Sequence, residues 1–345
     1  MTDMHINEQN LTEQVIKENW QSPDIQVSIV CTAYNHEPFI RDAIEGFLSQ
    51  KTNFAFEIII HDDASTDETP NIIMEYYPRF PGIIIPILQK ENQYSKGTRI
   101  FSTFLNPIIR GKYIAHCEGD DYWIDPEKLQ KQFDALEENQ TCDICFHPAK
   151  ALYPNGTSRI MCLHSKSKKK IFSIGDVILG GGGFMPTASL FYRKEIRTSV
   201  DAFFEKYGKF PVGDVMLQFL ASRRGGALYL PMIGSVYRVR SLGSWSSRMM
   251  NDSNFAKEVQ KKSILWNEKL NEFTSYEYNY YFRKKITRIL LSYVTNPYME
   301  KDERIYFLQN YSSYLDKTLK IRCKILFLLR YLKKFAKQSF SRYAR

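Results

Sequence analysis

Residues 118–123 read Glu-Gly-Asp-Asp-Tyr-Trp and follow the apolar run Tyr113-Ile114-Ala115-His116-Cys117. Carboxylates packed this closely at the end of a predicted strand repel one another unless a cation or a hydrogen-bonding ligand sits among them. A divalent cation carrying a phosphate would relieve that conflict. The plain alternative is a solvated acidic turn that caps a helix starting at Asp125-Pro126-Glu127.

Strand and helix patterns alternate from Gln26 onward, the signature of a parallel sheet flanked by helices. Strands are predicted over 27–32, 56–61, 83–88 and 113–117, with a helix over 38–50 that places Phe39, Ile40, Ala43, Ile44, Phe47 and Leu48 at helical spacing. Ser65-Thr-Asp-Glu68 fits a capping box for a helix running to about Tyr77, and a helix is expected near 99–106. Further strands are expected over 143–147, 188–192, 227–230 and 234–239, with a helix over 214–223. Beyond Asn254 the chain reads as helices, with a break at Asn296-Pro297. In open sheets of this kind ligands sit beyond the carboxyl ends of the strands. That rule selects Thr32 to Glu37, Asp62 to Asp67, the loop from Asn92 to Thr98, and Glu118 to Asp121, all polar or acidic. Asp62 and Asp63 could also end a strand and cap a helix, although Ser65 already serves as a cap; Lys96 reads as a phosphate partner or a solvated loop lysine.

The 345 residues allow a large core and one or two domains. No apolar run reaches 18 residues, and Met1 to Trp20 lacks an apolar signal core, so a cytosolic protein is expected. The six cysteines suit a reducing compartment. Cys142 and Cys145, with His147, Cys162 and His164, resemble a zinc site only loosely, because there is no second tight cysteine pair.

The net charge of +9 is unevenly placed: ten basic and no acidic residues lie between Lys317 and Arg345, leaving the rest near neutral. From Lys320, Ile321, Ile325, Leu328, Leu332 and Phe335 line one helical face opposite Arg330, Lys333, Lys334 and Lys337. Such a helix suits an anionic membrane surface, with packing on the rest of the chain as the competitor. Nucleic acid is not expected, since no aromatic and basic interleaving appears in the sheet region.

Three ordered motifs, Val27-Ser-Ile-Val-Cys-Thr-Ala-Tyr-Asn-His36, Ile60-His-Asp-Asp-Ala-Ser-Thr-Asp67 and Glu118-Gly-Asp-Asp-Tyr-Trp123, resemble the family 2 glycosyltransferases of bacterial polysaccharide biosynthesis over roughly 26–245. The resemblance implies an α/β fold of GT-A type with a nucleotide-sugar-binding sheet and a C-terminal helical extension, here 1–24 as an N-terminal extension, 25–250 as the transferase domain and 251–345 as a basic helical region. It implies a nucleotide-sugar donor, a UDP-sugar by expectation, held by Thr32, Ala33, Tyr34, Asn35 and Glu37 with Asp62, Asp63 and Lys96. Asp63 would accept the imide hydrogen of the base, and Glu118 or Asp120 would meet the ribose. Asp120 and Asp121 would ligate Mg²⁺ or Mn²⁺ against the diphosphate. Asp214, in Val212-Gly-Asp-Val-Met-Leu217, falls on the position of the base in an inverting transfer, although Gly213 stands where the family more often has a second acid; an N-cap is the alternative. Tyr237-Arg-Val-Arg240 stands where related proteins often show Tyr-Arg-x-His, so Arg240 would offer fixed positive charge to the phosphates. The run Gly180 to Gly183 reads either as a flexible wall of the acceptor site or as a plain surface loop. The acceptor would be a lipid-linked or other saccharide at the inner face of the plasma membrane, with the protein attached peripherally. A nucleotidyltransferase is disfavoured because Thr32-Ala-Tyr-Asn35 is neither glycine-rich nor arginine-containing; a non-catalytic module that binds sugar nucleotides or nucleic acid is the other rival.

Overall fold

The computed structural model describes residues 11–208, 213–241, 244–295 and 300–321. They fall into two compact units that divide between Ala256 and Lys257.

The first unit is built on an eight-stranded sheet. Its strands in chain order are β1 (Ile25–Ala33), β2 (Ala55–Asp62), β3 (Ile84–Leu88) and β4 (Tyr113–Glu118), followed after a short strand β5 (Tyr122–Trp123) by β6 (Ile144–Phe146). Next come β7 (Ala149–Leu152), β8 (Ser158–Met161), β9 (Lys170–Phe172), β10 (Phe191–Arg193), β11 (Ala227–Tyr229) and β12 (Ser235–Arg238). The large sheet runs β3-β2-β1-β4-β10-β6-β11-β9, and a second sheet runs β5-β12-β7-β8. β1 through β4 are mutually parallel, whereas β10 is antiparallel to both β4 and β6. The parallel strands are apolar on both faces, as strands covered by helices must be: Val27, Ile29, Val30 and Cys31 of β1 and Ile58, Ile59 and Ile60 of β2 are fully buried. The helix Ile40–Leu48 buries Ile40, Ala43, Ile44, Phe47 and Leu48 against them. Gly46 lets it approach β5, because a Cβ there would lie 2.8 Å from the Trp123 carbonyl oxygen.

In the N-terminal extension Ile16 is buried in the main core, with Leu11 and Trp20 against it. Two sequence expectations shift. Ser65 does not cap the helix after β2, which spans Thr69–Tyr76; Asp67 instead accepts the Thr69 amide at 3.0 Å and the Thr69 hydroxyl at 2.6 Å. Residues 188–190 are not strand, because Thr187–Ser189 forms a 3-10 turn, closed by Leu190 N donating to Thr187 O at 3.1 Å.

One buried acid lies at the amino end of the sheet. Glu57, fully buried, accepts the Ser28 hydroxyl at 2.6 Å, the Arg110 amide at 2.8 Å and the Arg110 Nε at 2.6 Å. Glu57→Gln would turn an amide group toward the Arg110 donors and leave a buried polar mismatch. The expected loss is about 1–3 kcal/mol, read as a lower urea midpoint at unchanged slope. An unchanged midpoint would show that the guanidinium and water replace the contact at no cost.

The second unit comprises most of the helix Ser253–Phe273 with the helices Asn279–Thr295 and Lys301–Asn310 around Ile264, Ile286, Leu290, Tyr293, Val294, Phe307 and Leu315. Among the described residues no helix is long and apolar enough to cross a membrane. The break at Asn296-Pro297 and the basic segment beyond Ile321 lie outside the described residues.

Candidate active site

At the carboxyl edge of the sheet, register pairs Thr32 of β1 with His61 of β2 on one side and Glu118 of β4 on the other. β2 and β4 flank β1 on opposite sides, and the sheet continues from β2 to β3 and from β4 to β10, so the order changes side next to β1, the position where open sheets form ligand crevices. The Gly119 amide donates to Thr32 O at 2.9 Å and the Asp63 amide to Ala33 O at 2.9 Å, which fastens the loops after β1, β2 and β4 together. Gly119 is required there. A Cβ on it would stand 2.9 Å from His36 Nδ1, 3.0 Å from Ile40 Cδ1 and 3.1 Å from Ala33 Cβ.

The loops after β1 and β2 are knitted by their own acids. Asp62, buried, accepts the Ser65 amide at 3.0 Å and the Ser65 hydroxyl, holding Ala64 at a left-handed φ of 61° that alanine rarely adopts. Ser65 in turn accepts the Asn35 amide at 2.8 Å, and Asn35 Oδ1 accepts the Thr66 amide at 2.8 Å. The Glu37 amide donates to Asp67 at 3.0 Å, while the Glu37 carboxylate accepts the Glu68 amide at 3.2 Å. Asp63 receives the amides of Gln93 at 2.8 Å and Tyr94 at 3.0 Å, so its two oxygens shape the 92–98 loop. Lys96 pairs with Glu91 in that loop and stays half-exposed. Tyr34 projects into solvent beside this network. Asp62, Asp63 and Glu37 thus build the walls of the crevice through backbone contacts.

Its floor is acidic. Glu118, Asp120 and Asp121 offer carboxylate oxygens that lie within 4.8 Å of one another. Asp121 is fully buried: its Oδ1 accepts the Arg238 amide at 2.9 Å, and its Oδ2 is buried without a hydrogen-bond partner. Asp120 Oδ2 accepts the Ser241 hydroxyl at 2.8 Å. Burial, then the charges of Asp120 and Asp214, push the Glu118 acid up to about 8, even though the residue as a whole opens to solvent across the crevice. Burial likewise raises Asp121 well above the ordinary carboxylate range, with Asp120 and Glu118 adding to it. Three mutually repelling carboxylates, one with an orphaned buried oxygen, are a donor set that fits a hard divalent cation. The sulfur and imidazole groups do not form a rival site: among the described residues the acidic trio is the sole cluster of three such side chains, and His147 Nδ1 lies 2.9 Å from the Pro148 carbonyl oxygen.

Arg238, a residue that motif reading passes over in favour of Arg240, organises this floor. Its guanidinium donates to the Asp120 carbonyl oxygen at 2.9 Å, pairs with Asp42, and lies 4.4 Å from the Tyr122 ring centroid and 5.0 Å from that of Phe39. Arg240 is exposed in a left-handed turn, φ 63°, with its amide on Ser246 Oγ at 2.9 Å. Arg238 and Ser241 sit more than a hundred residues from their acidic partners, so local sequence carries no sign of the pairing.

Asp214 lies in the first turn of the helix Gly213–Ala221. Its Oδ2 accepts the Thr187 hydroxyl at 3.2 Å and its Oδ1 accepts the next amide, Val215 N, at 2.8 Å. Burial raises its acid above the ordinary range, and its charge is felt at Glu118. The glycine run ends the helix Ile174–Gly180 and turns through Gly181–Gly183 beside this helix, a Cβ on Gly182 reaching 2.9 Å from Val215 Cγ2.

Residues 28–198 match the glycosyl transferase family 2 model, and the chain belongs to that family. An uncharacterized protein of Mycobacterium tuberculosis is 35% identical over 235 residues, covering 66% of this chain and 63% of the relative, so the chain spans less than two thirds of that protein. A UDP-Glc:α-D-GlcNAc-diphosphoundecaprenol β-1,3-glucosyltransferase of Escherichia coli is 37% identical over 111 residues, 32% of this chain and 41% of the relative. The structure of S. aureus TarS 1-349 in complex with UDP superposes with a TM-score of 0.61 at 15% identity, covering 91% of this chain and 92% of the other, a likeness of fold.

Proposed function

We propose that the protein is an inverting, metal-dependent glycosyltransferase that moves a sugar from a UDP-sugar to a hydroxyl of a lipid-linked saccharide in surface polysaccharide assembly. The observation that carries this reading is the trio Glu118, Asp120 and Asp121 at the carboxyl edge of β4, with the buried Asp121 Oδ2 lacking a partner. The E. coli relative's name specifies a UDP-sugar donor and a diphosphoundecaprenol-linked acceptor, which supports the choice of both.

Asp120 and Asp121 would hold the cation, with Glu118 placed to share it or to meet the ribose. When bound, the cation supplies Lewis-acid stabilisation to the departing diphosphate. The backbone from Thr32 to Asn35, with Tyr34 and the walls built by Asp62, Asp63 and Glu37, would hold the nucleotide; Lys96 and Arg240 would be the candidate phosphate partners. Asp214 takes the proton of the acceptor hydroxyl as its oxygen bonds to the anomeric carbon and the bond from that carbon to the diphosphate breaks. The basic residues between Lys317 and Arg345 support attachment to an anionic membrane surface at the cytoplasmic face.

The test is isothermal titration of UDP with and without Mn²⁺, in the wild type and in Asp120→Asn. Binding that requires Mn²⁺ and weakens at least about tenfold in the variant is expected. Absence of UDP binding in either condition, from folded protein, would sink the UDP-sugar reading and favour another nucleotide or a non-catalytic module.

A further inference from the structure

Beneath the acidic floor lies a buried polar chain that the proposed chemistry does not use. Trp123, two residues after Asp121 and 2% exposed, donates its Nε1 hydrogen to the Ala188 carbonyl oxygen at 2.9 Å. Gln132, fully buried, donates through Nε2 to the Ser189 carbonyl oxygen at 2.8 Å. Lys128, also fully buried, sets both: its Nζ donates to Gln132 Oε1 at 2.7 Å and stands 3.7 Å from the Trp123 ring centroid. With its oxygen committed to the ammonium, the Gln132 amide must turn its hydrogens toward Ser189. Burial lowers the Lys128 ammonium to about 7, a desolvation cost that a side chain serving only to fill space would not carry.

The same short segment is gripped from its other side by the helix that carries Asp214. Gln218, 1% exposed, donates through Nε2 to the Met185 carbonyl oxygen at 3.2 Å, and Thr187 donates its hydroxyl to Asp214 Oδ2 at 3.2 Å. Within the segment, Ser189 Oγ donates to the Pro186 carbonyl oxygen at 2.7 Å, and Leu190 O accepts the His116 amide of β4 at 3.0 Å. Residues 185–190 are therefore pinned to the strand and loop that bear the cation ligands and to the helix that bears the candidate base.

We propose that residues 185–189 are a keystone that fixes the position of the Asp214 carboxylate relative to Glu118, Asp120 and Asp121, with Trp123, Lys128 and Gln132 as positioning residues acting through it. This rests on the reading of Asp214 as the base. A hydroxyl to be deprotonated must lie between the base and the anomeric carbon held by the cation side, and misplacement by about 1 Å can cost on the order of a hundredfold in rate. A direct contact between the two centres would crowd the space the substrates need. A third element braced to both leaves it open.

The test uses the full chain and Trp123→Phe, which keeps a ring for Lys128 and for packing on Phe47 but removes the donor to Ala188. Amide hydrogen exchange is expected to quicken about tenfold or more in 186–190 and in 213–217, while 27–33 and 113–118 keep their protection. Mn²⁺-dependent UDP affinity should stay within about twofold, and UDP release from UDP-glucose, with water as acceptor, should fall about tenfold or more in kcat at unchanged KM. Lys128→Met, close in length, should reproduce the pattern if Trp123→Phe folds poorly, and Thr187→Ser should retain the rate that Thr187→Val loses. Unchanged exchange at 186–190 in folded variants, or loosening that stops short of 213–217, would overturn the keystone whatever the enzyme's rate on this donor. If Asp214→Asn releases UDP at the wild-type rate, the base assignment fails instead, and the exchange data still decide whether the two centres are braced.

Discussion

Asp214→Asn should slow sugar transfer by about 10²–10⁴-fold while leaving Mn²⁺-dependent UDP binding unchanged. The asparagine keeps the shape of the side chain: its oxygen can accept the Val215 amide in place of Oδ1, and its NH2 in place of Oδ2 can donate to a Thr187 hydroxyl turned to accept, so the helix Gly213–Ala221 has no reason to move. What is lost is a carboxylate that burial makes more basic than a free aspartate. Asp214 reaches the acidic trio only through its charge, which helps to raise the Glu118 acid, so removing it leaves Glu118 no less ready to meet a cation and donor binding is not weakened. The measurement is UDP release at saturating UDP-sugar beside a titration of UDP and Mn²⁺. A rate within about threefold of wild type would remove Asp214 from the role of base, and a parallel loss of UDP affinity would place it in the donor site.

Asp121→Asn is expected to split stability from function. In the metal-free protein Asp121 Oδ2 is buried, unpaired and beside Glu118 and Asp120, so its charge opposes folding. An asparagine retains the oxygen that accepts the Arg238 amide and replaces the orphaned oxygen by a donor that the neighbouring carboxylates can accept. The metal-free variant should therefore melt higher, by roughly 2–4 °C for each kcal/mol of repulsion relieved. Addition of Mn²⁺ should raise the melting temperature of the wild type and leave that of the variant unmoved, and metal-dependent UDP binding should disappear. A variant that melts lower than wild type without metal would show that Asp121 is held by contacts stronger than the repulsion. A variant that still responds to Mn²⁺ would move the cation away from this residue.

The reach of sequence reasoning follows the range of the interactions involved. β1, β2 and β4 are legible because covered parallel strands need unbroken apolar runs, and the acidic loop is legible because it directly follows one of them. Ser65 misleads: its spacing to Glu68 satisfies a local capping pattern, yet its hydroxyl is taken by Asp62, which forces the turn at Ala64 and delays the helix to Thr69. Ala188 to Leu190 look like strand by composition but are drawn into a turn by carbonyl contacts to Trp123 and Gln132, side chains more than 50 residues away. Arg238 is invisible for the same reason, since nothing near it in sequence reports that Asp120 and Asp121 will be its partners. The helix Ile196–Tyr207 is not legible in the sequence because only Arg197, Val200 and Phe203 of it are buried, a stripe too thin to stand out.

The contacts that shape the acidic trio also set a timetable. The partners of Asp120 and Asp121 on and after β12 lie 117, 118 and 121 positions later in the chain. At roughly 5–20 residues per second of synthesis, the acidic loop leaves the ribosome many seconds before Arg238 and Ser241 exist to orient it. A nascent chain that ends short of Arg238 holds the same carboxylates without the amide, guanidinium and hydroxyl that point them inward. Under the proposed cation site, affinity would therefore be acquired late, once Arg238 and Ser241 are in place, and a half-made chain would not compete for the metal.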